Sequence, residues 1–253
     1  MKKLLSLTIA IILLSSATIA LAGDKNWGLG FGKDGTLPSG HASAEYLSQY
    51  SAYYHGDTNE KILYLTFDAG YENGYTADIL DILAKHEVPA AFFLVGHYFE
   101  SAPELVKRMH EEGHIVGNHS NNHPNMCNLS REQFAQELEQ ANDLFHTITG
   151  EEMTKIYRPP SGTYCESNLK WAQELGYTTA FWSLAYADWD NKNQPSHETA
   201  FNKLLPRTHN GAIILLHNTS HTNAEVLDEL ITRWKADGYR FASLLDIPVK
   251  MPR

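Results

Sequence analysis

The chain has 253 residues and a formal net charge of −10, enough length for one domain with a large buried core. Its acidic balance gives no steering towards polyanions and speaks against nucleic acid as a partner. Two cysteines, Cys127 and Cys165, are too few for a disulfide-dense scaffold, although export would permit one bridge between them.

Residues 1–22, MKKLLSLTIAIILLSSATIALA, place Lys2 and Lys3 before an apolar run and end on Ala20-Leu21-Ala22. That is the pattern of a cleavable export signal, so the mature chain is expected to begin near Gly23 and to work outside the cytoplasm. Retained, the same run would anchor the chain in a membrane; no later stretch is apolar for long enough to span one. Residues 23–60 are rich in Gly, Ser and Tyr with little periodicity, which predicts an extended arm, with Trp27 and Phe31 as its anchors.

Over residues 61–253 strand-like and helix-like segments alternate. Residues 61–67 (KILYLTF) read as a buried strand, and 75–86 carry Ile79, Leu80, Ile82 and Leu83 at helical spacing. Strands are expected at 90–96, 114–118, 153–158, 178–184, 211–216 and 241–247. Helices are expected from residue 101, from 130 to about 150, through 171–175, near 198–205 and over 225–236, with Ser130 and Gln133 forming a capping box. Apolar strands separated by helices imply parallel pairing with both faces covered, hence an α/β fold, either a barrel or a doubly wound sheet.

Chemistry gathers where strands end. Asp68, His97, His119, His123, Arg158, Asp188 and His217 each follow or close an apolar strand, and the C-terminal strand ends of such folds share one rim. His119 and His123 stand four apart in HSNNH; they could share a metal ion if the segment began a helical turn, or be two unrelated loop histidines. Asp68 suits a general base or a helix cap. Arg158, before Pro159-Pro160, could grip a carboxylate through a bidentate pair or simply tie down the rim. His217 suits a general acid, Asp188 could raise the pKa of a nearby histidine, and Trp189 could stack on a sugar or enclose an acyl group. No phosphate-binding Gly-Lys-Ser loop and no Gly-x-Ser-x-Gly elbow is present.

In order, LTFDAG, HSNNH, RPPSG, ADW and LLH resemble the five motifs of the polysaccharide deacetylases, carbohydrate esterase family 4, also called the NodB-homology domain. Within it, TFDAGYENGYT with RPP and FWSLAYADW resembles the branch that deacetylates N-acetylmuramic acid of spore-cortex peptidoglycan on the route to muramic δ-lactam. The resemblance implies a distorted (β/α) barrel of about seven strands, and a monomer acting on a peptidoglycan glycan strand in the cell wall or spore envelope. It also implies a divalent cation, zinc or similar, on His119 and His123. Asp68 would be the base, held by Arg158, and His217 the acid, tuned by Asp188. Backbone N–H near Ser161 would help stabilise the oxyanion, and Leu215 and Trp189 would wall the acetyl methyl.

Two positions depart from the family pattern. A metal-binding aspartate normally follows the base, but position 69 is alanine; an aromatic residue normally stands where Ser161 does. Three readings follow: an active enzyme with a weakly held ion, a site in which Cys127, His97 or Glu72 replaces the lost ligand, or a glycan-binding module without turnover.

Overall fold

The first strand of the sheet body forms as Ile62–Ala69, and all eight of its residues are buried. Alternation along the strand sends Leu63, Leu65, Phe67 and Ala69 into the larger core cluster, shared with helical residues such as Leu80 and Leu230. Ile62 and Tyr64 belong instead to an inner cluster with Phe93, Ile156 and Ile213. Both faces are therefore covered, which is why the sequence shows a continuous apolar run rather than alternation.

The computed structural model describes residues 23–249; the export signal expected at the N-terminus lies outside them. A nine-stranded sheet runs in the order Leu184–Ala185, Ala212–His217, Ile62–Ala69, Ala90–Leu94, Ile115–Asn118, Ile156–Tyr157, Thr178–Ala180 and Ala52–Tyr53, with Arg240–Phe241 also on Ile62–Ala69. Every pairing in it is parallel. Helices Thr76–His86, Pro103–Glu111, Arg131–Thr149, Glu166–Glu174, His197–Leu204 and His221–Ala236 separate the strands. The capping box forms: Ser130 Oγ accepts the Gln133 N–H, and Gln133 Oε1 accepts the Ser130 N–H.

The single strand expected at 178–184 is two. Thr178–Ala180 and Leu184–Ala185 lie far apart in the sheet order, yet only three residues separate them, a reach of roughly 14 Å at most. The sheet must curl until those parts nearly meet, giving the distorted barrel. The backbone switches neighbours across the gap: Phe181 N–H donates to Tyr53 O, and Ser183 N–H to Ile213 O, both at 2.9 Å. This split, together with the arm strand Ala52–Tyr53 on Thr178–Ala180, accounts for nine strands against the seven expected.

The arm lies against the barrel rim. Lys25–Asn26 pairs with Thr163–Tyr164, Trp27 stacks on Phe181 with ring centroids 4.5 Å apart, and its indole N–H donates to Trp182 O at 3.0 Å. Phe31, the other expected anchor, is only partly covered, by the Arg207 guanidinium 4.1 Å above its ring. Gly162 sits where these parts converge, with φ +66 and a Cβ position 2.7 Å from Trp182 and 3.0 Å from Trp27, so no other residue fits. Among the described residues no helix is long and apolar enough to cross a membrane.

Cys127 and Cys165 form a disulfide, with Cα atoms 5.9 Å apart. It ties the turn Met126–Asn128 to the start of helix Glu166–Glu174. Closing a loop with a sequence separation of 38 removes chain entropy from the unfolded state worth about 4 kcal/mol. Replacing both cysteines by serine should lower stability by about 2 to 4 kcal/mol in denaturant unfolding, and reductant should lower the parent but not the variant.

Candidate active site

Parallel register places His217 directly opposite Asp68. Both side chains leave neighbouring strands at the same level, roughly 5 Å apart at the backbone. Thr66, two residues before Asp68, accepts a hydrogen bond from Arg158 Nη1 at 2.9 Å and donates to Ile214 O at 2.7 Å.

Asp68 Oδ1 accepts from Arg158 Nη1 at 2.7 Å. The pair is single rather than bidentate: Arg158 Nε donates to Ala180 O at 3.0 Å, and Nη2 reaches Phe181 O at 3.4 Å. Those carbonyls belong to the segment that closes the barrel, so Arg158 both holds the carboxylate and ties down the rim. Its guanidinium is fully buried, 4.1 Å over the Phe93 ring. Burial pushes the Asp68 carboxyl up, but Arg158, then His119 and His217, outweigh it and hold the group below the ordinary carboxylate range.

His119 and His123 do meet, with ring centroids 4.9 Å apart, but not through a helical turn. Ser120 and His123 take left-handed backbone, with φ 66 and φ 54. Side chains compensate. Asn118 Oδ1 accepts the Ser120 N–H at 2.9 Å, Ser120 Oγ the His123 N–H at 2.9 Å, and Glu137 the Asn121 and Asn122 N–H groups at 3.0 and 2.8 Å. His119 Nδ1 lies 2.7 Å from Arg158 O; a carbonyl only accepts, so Nδ1 carries the proton and Nε2 is left as a lone pair, 3.6 Å from Asp68 Oδ2.

Burial pushes His119 down from 6.5 to about 4 and lowers His123 as well. A folded pKa below the unfolded one means that the stabilising contribution is complete above about 6.5 and is lost as pH falls to about 4. In chelator-treated protein the loss attributable to His119 should be on the order of 3 kcal/mol. His119→Asn should flatten that part of the decline in denaturant midpoints.

His217 Nδ1 lies 2.7 Å from Asp188 Oδ1, and its backbone N–H donates to Asp188 Oδ2 at 2.8 Å. Burial pushes His217 down, but the Asp188 charge and hydrogen bond outweigh it and raise the imidazole. With Nδ1 engaged, Nε2 is the atom available to a substrate.

These groups line a cavity of about 720 Å³ that also takes in Ser161, Leu215 and Trp189. Nine of the candidates thus converge, seven of them on the cavity wall and Arg158 and Asp188 behind it, whereas His97 is not among the lining residues. Leu215 is buried, whereas Trp189 is 65% exposed and forms an open wall. Ser161 is held at φ 55, just before the constrained Gly162. Sequence reasoning missed Tyr71, Trp182 and Tyr186 on the same wall; the flanking motifs GYENG and FWSLAYADW contain them, but nothing in the spacing aims them inward.

None of the three replacement ligands reaches the histidine pair. Cys127 is consumed in the disulfide. His97 is exposed on the helix Gly96–Ser101. Glu72 accepts from the Gly74 N–H and from the Thr76 and Tyr98 hydroxyls, fixing the turn before Thr76–His86. Among the described residues no group of three His, Cys, Asp or Glu is arranged to hold an ion. The pair itself suits a first-row divalent cation in ligand type and in its neutral protonation state, one protein ligand short of the usual catalytic zinc set.

The polysaccharide deacetylase family model matches residues 55–180. Peptidoglycan-N-acetylmuramic acid deacetylase PdaA of Bacillus subtilis is 44% identical over 223 residues, 88% of this chain and 85% of that protein. An uncharacterised 30.6 kDa protein of Geobacillus stearothermophilus is 49% identical over 203 residues, 80% of this chain and 77% of its own. The solved structure of B. subtilis PdaA, described as a family 4 carbohydrate esterase, superposes with a TM-score of 0.85 at 43% identity, covering 88% of this chain and 96% of that one. With the five motifs gathered on one rim and relatives of this identity spanning most of its length, the chain belongs to the polysaccharide deacetylase family, the family 4 carbohydrate esterases.

Proposed function

We propose that this protein is an exported deacetylase of N-acetylmuramic acid in peptidoglycan, serving the route to muramic δ-lactam. The observation that carries the reading is the complete proton-transfer set: Asp68 held by Arg158 at 2.7 Å, opposite His217 held by Asp188 at 2.7 Å. The 44% identity to a named N-acetylmuramic acid deacetylase supports the choice of sugar.

Asp68, with Oδ1 on Arg158, keeps Oδ2 to take a proton from the water that attacks the acetamido carbonyl. Low proton affinity keeps it ionised. His217 Nε2, raised by Asp188, gives a proton to the departing nitrogen. The C–O bond forms, the C–N bond breaks, and the products are acetate and a free amine. The Ser161 backbone N–H assists the oxyanion, while Leu215 and Trp189 enclose the methyl. His119 and His123 would hold a divalent cation, which when bound supplies polarisation of the carbonyl.

The test is acetate release from amidase-treated peptidoglycan by the full chain, with and without added divalent ion, followed by product analysis. Free amine is expected on muramic residues, whose lactyl group can then close onto it. Amine appearing only on glucosamine residues would overturn the choice of sugar. A second reading, a glycan-binding module without turnover, is favoured by Ala69 alone and predicts saturable binding without acetate.

A further inference from the structure

Asp188 carries more than His217. Its Oδ2 also accepts the side-chain amide of Asn223 at 2.6 Å, and the same Asn223 Nδ2 donates to the His217 carbonyl at 3.0 Å. Two acceptors on one side of the amide identify that side as the NH₂ group, so Oδ1 faces the other way. There it accepts the Tyr186 hydroxyl at 2.5 Å. Asn223 and Asp188 are both fully buried, whereas Tyr186 lines the cavity. Burial, and then Asp188, push the Tyr186 hydroxyl up, so it stays a donor throughout the working range.

Asn223 lies in the first turn of His221–Ala236, where its backbone N–H donates to Ser220 Oγ at 3.1 Å. The backbone is thus fixed without help from the side chain. Without the amide, Asp188 Oδ2 would keep only the His217 peptide N–H, and the carboxylate would be freer to rotate away from Nδ1. The imidazole is aimed by that one contact at 2.7 Å, so freedom at Asp188 becomes freedom at Nε2.

We propose that Asn223 is a positioning residue for the general acid: it locks Asp188 so that His217 presents Nε2 to the departing nitrogen, with Tyr186 aligning the amide from the cavity side. This rests on the deacetylase reading above and concerns residues outside the five motifs.

Leaving-group chemistry separates this role from a merely structural one. An amide needs its nitrogen protonated as it departs, whereas a nitrophenyl acetate expels a stable phenolate without an acid. In the full chain, Asn223→Ala should lower kcat for acetate release from glycan about 10- to 100-fold with KM changed less than about twofold. Nitrophenyl acetate turnover should stay within about twofold of the parent. Tyr186→Phe keeps the ring and should show the same selective loss at about 3- to 10-fold; it decides the matter if Asn223→Ala does not fold. Equal losses on both substrates, or no loss on glycan, would overturn the proposal. A parent that releases no acetate from glycan would overturn the deacetylase reading itself and this inference with it.

Discussion

Asp68→Asn should lower acetate release by about three orders of magnitude or more, because the amide is isosteric with the carboxylate but cannot take the proton of the attacking water. The loss should fall on kcat, with glycan binding nearly unchanged. Arg158 loses its counter-charge, so stability should fall, but it keeps Thr66 Oγ1 and the carbonyls of Ala180 and Phe181 as partners, and the fold should survive. Steady-state kinetics beside circular dichroism would separate the two effects. Residual turnover within tenfold of the parent would mean that another group, or hydroxide, performs the deprotonation.

Arg158→Met should be the most destabilising substitution in the site. It strands a buried carboxylate, since Arg158 is fully buried and Asp68 nearly so, and breaking such a pair from one side costs about 3 to 5 kcal/mol. In the parent, Asp68 is held below the ordinary carboxylate range. Its contribution is therefore present above the unfolded value and is lost as pH falls through the lowered folded one. Without Arg158 the burial effect is no longer outweighed by that cation, and the carboxyl should protonate at higher pH. The stability deficit of the variant should then be largest near neutrality and shrink on acidification, and the acidic limb of its rate profile should move up. A deficit that stays constant with pH would show that lost packing on Phe93, not charge, is responsible.

Asp68 and His217 were legible as rim candidates because each closes a buried apolar run, and strand ends are where such a fold exposes chemistry. Parallel register then sets them opposite one another, which no local pattern encodes. The histidine pair was legible in spacing but not in conformation: its loop is held by Glu137, 15 and 16 residues further on, rather than by helical repeat. TTAFWSL reads as one strand because it is rich in β-branched and aromatic residues with no breaker, yet Arg158 and the arm claim the carbonyls and N–H groups at its centre. The disulfide joins residues 38 apart in sequence, a distance fixed only by the packing of helix Glu166–Glu174 against the turn before it.

Ala69 looks different in three dimensions. Its methyl is fully buried in the larger core cluster with Leu65 and Phe67, on the opposite side of the strand from Asp68 by simple alternation. The residue that removes a metal donor also fills core, so its presence there has a packing reason independent of the ion. Asn223 lies outside every motif and is found only by following the hydrogen bonds outward from Asp188; Tyr186 stands inside FWSLAYADW, but its bond to Asn223 joins residues 37 apart and has no local signal.

The most direct measurement is acetate release from purified amidase-treated peptidoglycan by the parent chain, with muramic residues assayed for free amine by mass spectrometry. The proposed base and acid, each with its supporting charge, predict catalytic turnover that yields one acetate per deacetylated muramic residue. Saturable binding of the same glycan with no acetate, at any divalent-ion concentration, would contradict the enzymatic reading and leave a glycan-binding protein built on a deacetylase fold.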